Sequence, residues 1–311
     1  MNIKEIGYRL LFGCWYALSL LPLRCLYRLS DCLYFLLYYF IRYRRRVVYA
    51  NLTSAFPDKS AEEICTIARR FYAYFCDYIV ETVKLCTISE KEMRRRMYFE
   101  DIEEVKQELE AGRSASLYLG HYGNWEWVSS LPLYFNAECG QIYHPLENAM
   151  MDRLFLHIRG RFGARSIAKD DTFLVVREWK KKGITNMIGY IADQVPGYGS
   201  IHHWVNFLHH DTPVFTGAER IARLMRTTVY YLNIERPRRG YYKARFIKIC
   251  DAPQDTPLFY PTEQYYKLLE TNICHAPQFW LWSHKRWKRT REEFNRIYPD
   301  EEERTKRLSR L

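Results

Sequence analysis

The segment LYLGHYGNWEW, residues 117–127, sets His121 and Glu126 five positions apart behind an apolar run, with Gly123 and Asn124 between them. An imidazole held by a carboxylate is a general base: the acid fixes one ring nitrogen as a donor and leaves the other free to take a proton. On one regular helix five residues turn the chain by roughly 500°, which would leave the two side chains about 140° apart. The pair therefore needs a break between its members. Gly123 admits positive φ and Asn124 can cap a helix starting at Trp125, so the imidazole can meet the carboxylate across the turn. No G-x-S-x-G elbow or other local nucleophile accompanies the pair, which points to a hydroxyl on the substrate as the nucleophile. The reaction expected is direct attack on an activated acyl group, with the base supplying roughly 10² to 10⁴ of the rate. The N–H groups at the helix start are candidates to steady the oxyanion.

Such a site needs a strand to carry His121 to a sheet edge. SASLYLG, residues 114–120, is a short β-prone run after the breaker AGR, and WEWVSSLPLYF reads as the helix that follows. The alternation continues: a helix from Met150 to Arg161, GARSI as a short strand, a helix from Thr172 to Lys182, ITNMIGYIAD as a buried strand. A Pro/Gly loop, a helix from Thr216 to Arg226, and the strands TTVYYLNIE and YYKARFIKI complete it. This pattern predicts an α/β fold with a central mixed, largely parallel sheet flanked by helices and a site at the carboxyl ends of its strands. Ahead of it, Ser60 with Glu63 forms a capping-box signature before a helix with an apolar face. Residues 88–112 read as charged, surface-exposed helix.

The chain has 311 residues, 47 Lys+Arg against 36 Asp+Glu and a net charge of +11, which favours anionic partners. Residues 1–50 hold eight basic side chains (Lys4, Arg9, Arg24, Arg28, Arg42, Arg44, Arg45, Arg46) against Glu5 and Asp31, yet are also the most apolar part. Its two uncharged runs, LLFGCWYALSLLPL and CLYFLLYYFI, fall short of the roughly 18 to 20 residues a spanning helix needs. Arg24, Arg28 and Asp31 share one helical stripe. The segment reads as an amphipathic helical anchor in a membrane interface, with Trp15, Tyr16, Tyr34, Tyr38 and Tyr39 at headgroup level and RYRRR attracted to an anionic leaflet. The expected division is residues 1–46 as membrane-associating segment and 47–311 as catalytic domain. Nine cysteines without a C-x-x-C pair suit a reducing compartment, placing the catalytic part on the cytoplasmic side.

HYGNWE resembles the H-x4-D/E box of the glycerolipid acyltransferase superfamily, in the form found in bacterial lipid A late acyltransferases. The resemblance extends over nearly the whole chain. RVVYANLTSAFPDKSAEE (residues 46–63) is similar to the R-x-x-x-x-NL…FP segment, HPLENAMMDRLFLHIRGRFG (144–163) to the stretch ending in R-G-R, and IGYIADQVPGYGS (188–200) to the strand and D-Q/H loop. APQFWLWSHKRWKRTRE (276–292) is similar to the terminal block. Lys285, Trp287 and FLHHDTPVFTG depart from the usual residues, the last bearing on the shape of the acyl pocket.

The resemblance implies His121 as general base and Glu126 as its catalytic partner, with Asn124, Arg159, Arg161, Asp193 and Gln194 as substrate-binding residues. Arg159, with Arg161 second, would bind phosphate or the phosphopantetheine of a carrier; Asp193 and Gln194 would position the acceptor or support the arginine. The activity implied is transfer of a fatty acyl group from a thioester, on acyl carrier protein or coenzyme A, to a hydroxyl of a lipid A precursor at the inner membrane. Other acceptors, a lysophospholipid, an aminolipid or a glycosylated inositol lipid, stay open, as does a non-catalytic basic membrane-surface protein. No cofactor, metal or nucleic acid is expected. His202, His203, His209 and His210 lack ligand spacing, since adjacent histidines on a strand face opposite ways, and HKRWKR suits lipid phosphates or an acidic carrier better than bases.

Overall fold

The computed structural model describes residues 3–311, with side chains from Glu5 onward, so that Lys4 lies outside the described side chains. Two helices, α1 (Ile3–Leu20) and α2 (Leu23–Phe35), precede a π-helical turn, Leu36–Phe40, and α3 (Arg45–Ala55). The longest helix, α4 (Ala61–Lys84), starts as its capping box predicts: Glu63 N–H donates to Ser60 Oγ and Ser60 N–H to Glu63 Oε2. Residues 88–112 are not continuous helix. They divide into α5 (Glu90–Arg96), the strand β1 (Met97–Glu100) and α6 (Glu103–Glu110). In β1 the alternating buried Met97 and Phe99 are too short a signal to stand out among the flanking charges.

Seven strands form one mixed sheet, covered by helices. After β1 come β2 (Ala115–Leu119), β3 (Glu138–Tyr143), α7 (Ala149–Arg159), β4 (Arg165–Ala168), α8 (Thr172–Lys181) and β5 (Asn186–Ile191). A separate antiparallel hairpin, β6 (His203–Phe207) and β7 (His210–Val214), and α9 (Gly217–Met225) lead to β8 (Thr228–Arg238) and β9 (Tyr241–Cys250). Then α10 (Tyr260–His275), α11 (Arg291–Ile297) and α12 (Glu301–Leu308) close the chain. The sheet order is β1-β9-β8-β2-β5-β3-β4, with β8, β2, β5, β3 and β4 parallel and β9 antiparallel to β8. The α/β, largely parallel sheet expected from the sequence is what forms; β1, β3 and the β6–β7 hairpin were not legible in it. All five β2 residues are buried, as a central strand covered on both faces requires.

The N-terminal helices are packed onto this body. Leu23 and Leu26 of α2 meet Val80 of α4, and Ser30 donates to buried Asp77. Asp77 also accepts from Arg236 and Arg239 at the β8–β9 end, and Arg239 reaches back to Asp31. Most of the exposed large apolar side chains nevertheless lie in this region, among them Leu10, Leu18, Leu29, Phe35, Leu36, Phe40 and Ile41. Among the described residues no single helix is long and apolar enough to cross a membrane; the pair Glu5–Leu20 and Leu23–Phe40 passes only together and is bent by 112°.

Candidate active site

Adjacent parallel strands build the site. β2 and β5 run in register with Leu119 opposite Ile191, so two residues further along each strand His121 and Asp193 emerge side by side at the carboxyl edge. His121 Nδ1 lies 2.6 Å from Asp193 Oδ1, and the His121 backbone N–H donates to Oδ2 at 2.8 Å. Trp280 Nε1 donates to the same Oδ2 at 2.8 Å. Burial by itself would raise the Asp193 carboxyl, but the His121 ring, the Trp280 N–H and the His121 amide together hold it below its ordinary value. With the ring proton on Nδ1, Nε2 is an acceptor, and the Gln194 amide donates to it at 3.2 Å. The ring keeps 17% of its side-chain surface exposed, enough for a hydroxyl to approach. An imidazole so held is competent as a general base. At Gly120, just ahead, an added Cβ would sit 2.7 Å from Leu269 Cδ1 and 3.3 Å from Asp193 Oδ2, so only glycine lets α10 and Asp193 close on the strand end.

The carboxylate on the imidazole is thus Asp193, which corrects the expectation that Glu126 fills that place. Glu126, 3% exposed, turns to Arg159 instead: Nε and Nη2 of Arg159 donate to Oε2 and Oε1 at 2.7 and 2.6 Å, a bidentate pair. Tyr78, stacked on Trp125 with centroids 4.2 Å apart, donates to Glu126 Oε1 at 3.3 Å. Burial works against the Arg159 guanidinium, yet the Glu126 charge and hydrogen bonds prevail and its pKa lies above the usual value. The physical reason for the switch is direction. The turn sends residue 126 away from residue 121 toward the last turn of α7, while the edge-on ring of Trp125, 5.2 Å from the His121 ring, stands beside the imidazole.

The turn has the foreseen backbone. Gly123 is at φ 61°, where a Cβ would meet Ile234 Cγ2 at 2.6 Å. Asn124 Oδ1 accepts from Trp127 N–H at 3.1 Å, capping a tight 3₁₀ helix, Trp127–Leu133, that takes the place of the longer helix expected; Pro132 within it cannot extend an α-helical ladder. Asn124, expected at the substrate, is fully buried and its amide donates to Glu81 Oε2 at 2.8 Å, so both ends of its side chain are spent on holding the turn. Nor are all the turn's N–H groups open for an oxyanion: Trp127 N–H is capped, and Gly123 N–H donates to Phe279 O at 3.0 Å. Arg161 forms no hydrogen bond or ion pair with His121, Glu126 or Asp193. It donates to the carbonyls of Leu85 and Ile88, closing the end of α4. Asp193 and Gln194 support the histidine rather than Arg159.

Several supporting residues carried no motif in the sequence. Glu81, fully buried with its carboxyl pushed up chiefly by that burial, accepts from Asn124, Tyr27 and Tyr242. Its only trace was a carboxylate four residues after Asp77 among the apolar and aromatic positions of α4. The segment carrying Trp280 bridges the turn, with Leu281 N–H donating to His121 O. α3 clamps that segment: Asn51 Nδ2 donates to Trp282 O and His284 O, and Arg44 to Ser283 O. The four histidines between residues 202 and 210 disperse: His202 to Arg307 O, His203 to Glu263 and the Phe259 ring, His210 to Leu208 O and Trp287, His209 in the β6–β7 turn at φ 65°. In HKRWKR, Arg286 is fully buried, donating to Pro213 O and Tyr266, and so is not free for an anionic partner.

No curated relative matches this chain. The family model of the bacterial lipid A biosynthesis acyltransferases matches residues 3–289, which takes in the N-terminal helices, the His121 turn and the Asp193 strand. The chain belongs to the bacterial lipid A biosynthesis acyltransferase family.

Proposed function

We propose that the protein transfers a fatty acyl group from a thioester, on acyl carrier protein or coenzyme A, to a hydroxyl of a lipid A precursor at the cytoplasmic face of the inner membrane. Residues 1–46 hold it at the bilayer and residues 47–311 carry the chemistry. The observation that carries this reading is the 2.6 Å His121–Asp193 contact at the sheet's carboxyl edge, in a chain of an acyltransferase family. The acceptor hydroxyl takes the place of the Gln194 amide at Nε2 and gives up its proton as its oxygen attacks the thioester carbonyl. Asp193 stabilises the imidazolium that forms. When the tetrahedral adduct collapses, the carbon–sulfur bond breaks, the ester remains on the acceptor, and the imidazolium returns its proton to the departing thiolate. Glu126 does not touch the imidazole and acts through Arg159 as a positioning residue.

Detergent-solubilised protein with acyl carrier protein and coenzyme A thioesters and a lipid A precursor tests this. His121→Ala should abolish transfer, and Asp193→Asn should lower kcat by roughly 10² to 10⁴, the scale of a positioned general base. Undiminished transfer by His121→Ala would overturn the mechanism. An unchanged acyl count in lipid A from cells lacking the protein would overturn the choice of acceptor.

A further inference from the structure

The two arginines expected to bind phosphate are engaged within the protein, Arg159 by Glu126 and Arg161 by the carbonyls at the end of α4. A different group of cations lacks carboxylate partners. Arg42, Arg44, Arg45 and Arg46, with Tyr49, line a cavity of about 640 Å³ over the first turn of α3. None of the four forms an ion pair with any described carboxylate, whereas Arg9, Lys182, Arg245 and Arg307 elsewhere on the surface do. Their hydrogen bonds within the protein go to carbonyls: Arg42 to Tyr39 O, Arg44 to Ser283 O and Arg45 to Tyr38 O.

Arg42 and Arg44 are both left-handed, at φ 53° and 51°, a conformation disfavoured for a residue with a Cβ and retained where the surroundings impose it. The bend gathers four like charges into one concavity, an arrangement that self-repulsion opposes unless an anion is taken up. Arg44, as N-cap of α3, provides no side-chain cap, so the helix end adds its own positive field.

Two further observations identify the anion's carrier. The chain leading into the cavity exposes an apolar aromatic strip, Tyr39, Phe40, Ile41 and Tyr43, with Phe40 78% exposed. And Arg44 holds Ser283 O, two positions from Leu281, whose N–H donates to His121 O, so the cavity and the histidine brace the same short segment. We propose that this cavity is a phosphate-monoester site for the headgroup of an amphiphile whose hydrocarbon lies along the aromatic strip. The proposal rests on membrane association but not on the acyl-transfer chemistry.

The test compares full-length wild type, Arg42→Ala/Arg46→Ala, Arg42→Lys/Arg46→Lys and His121→Ala, each shown by its melting profile to be folded. Retention is measured on phosphatidylcholine vesicles doped with phosphatidic acid, a monoester, or phosphatidylglycerol, a diester. Roughly 1 M salt shortens the screening length to about 3 Å and removes diffuse attraction. Wild type should prefer the monoester vesicles by about tenfold or more, the gain expected of forked guanidinium contacts over point charges. Both the alanine and the lysine pair should lose that preference, because lysine keeps the charge but not the fork. His121→Ala should keep it, which separates failure of this site from failure of the catalytic reading. Equal retention of wild type on the two lipids, or a lysine pair that behaves as wild type, would overturn the proposal. So would inorganic phosphate, added at the concentration of the monoester lipid, displacing wild type from the vesicles, since the site would then serve a soluble phosphate.

Discussion

At the scale of single residues, the reading turns on which carboxylate holds which cation. His121 takes Asp193, and Glu126 takes Arg159, two partnerships that share one turn. Glu126 is almost wholly buried, so removing its partner leaves a charge with neither water nor counterion. Arg159→Met should therefore cost roughly 3 to 5 kcal/mol, and Glu126→Gln/Arg159→Met distinctly less than the two single losses added together. Denaturant unfolding in detergent reads this directly, and additive costs would mean that the pair is not coupled. His284 gives the pH dependence. Its Nε2 accepts from Val195 N–H at 3.4 Å, and burial, with Arg286 and His121 adding to it against the pull of Asp193, lowers its pKa from the usual 6.5 to about 4. Between those values the unfolded chain binds the proton and the folded chain does not. The contribution of His284 to stability is thus complete above pH 6.5 and is lost as pH falls toward 4. On moving from pH 7 to pH 5 the melting temperature of wild type should fall, and that of His284→Gln should fall less; equal falls would refute this assignment.

At the scale of elements, a seven-residue connection, 120–126, joins β2 to a 3₁₀ helix, and its turn at Gly123 survives because its neighbours hold it from three sides. Tyr74 on α4 donates to Gly123 O, the strand-like segment at Trp280 pairs with Tyr122, and Ile234 on β8 closes over Gly123. Gly123→Ala combines a left-handed residue bearing a Cβ with a contact of 2.6 Å, penalties of roughly 1–2 and 1–3 kcal/mol. Adding Ile234→Ala should relieve only the steric part, because the backbone angle is untouched. Thermal unfolding of the two variants checks this, and full rescue by Ile234→Ala would show that φ carries no cost. The turn was legible because a glycine and a capping asparagine in succession constrain the backbone locally. The α-helix expected after it was not found, since Pro132 and the cap at Trp127 leave room only for the tighter winding.

At the scale of the whole molecule, charge and apolar surface are gathered at one end of the chain. Exposed Leu10, Leu18, Leu29, Phe35, Phe40 and Ile41 lie on N-terminal helices bolted to α4 through Asp77, Arg239 and Asp31, so these helices and the sheet form one packed body. Leu29→Glu/Phe40→Glu should shift the protein from the membrane fraction toward the supernatant, because it removes exposed hydrocarbon that the proposed bilayer contact would bury and adds repulsion from an anionic leaflet. Sedimentation after salt washing measures it, and unchanged pelleting would place the attachment elsewhere. The sequence by itself determined the alternating α/β elements, the capping box of α4, the positive φ at Gly123 and the histidine at a strand end. Each of these follows from contacts within a few residues of the chain, where spacing and side-chain type suffice. The partner of His121 lay beyond its reach: Asp193 is 72 positions away and arrives only because β5 pairs with β2 in a particular register. Only the tertiary structure decided that register, the burial of Asn124 and Arg286, and the pairing of Glu126 with Arg159, because each depends on which surfaces are excluded from water once distant segments pack.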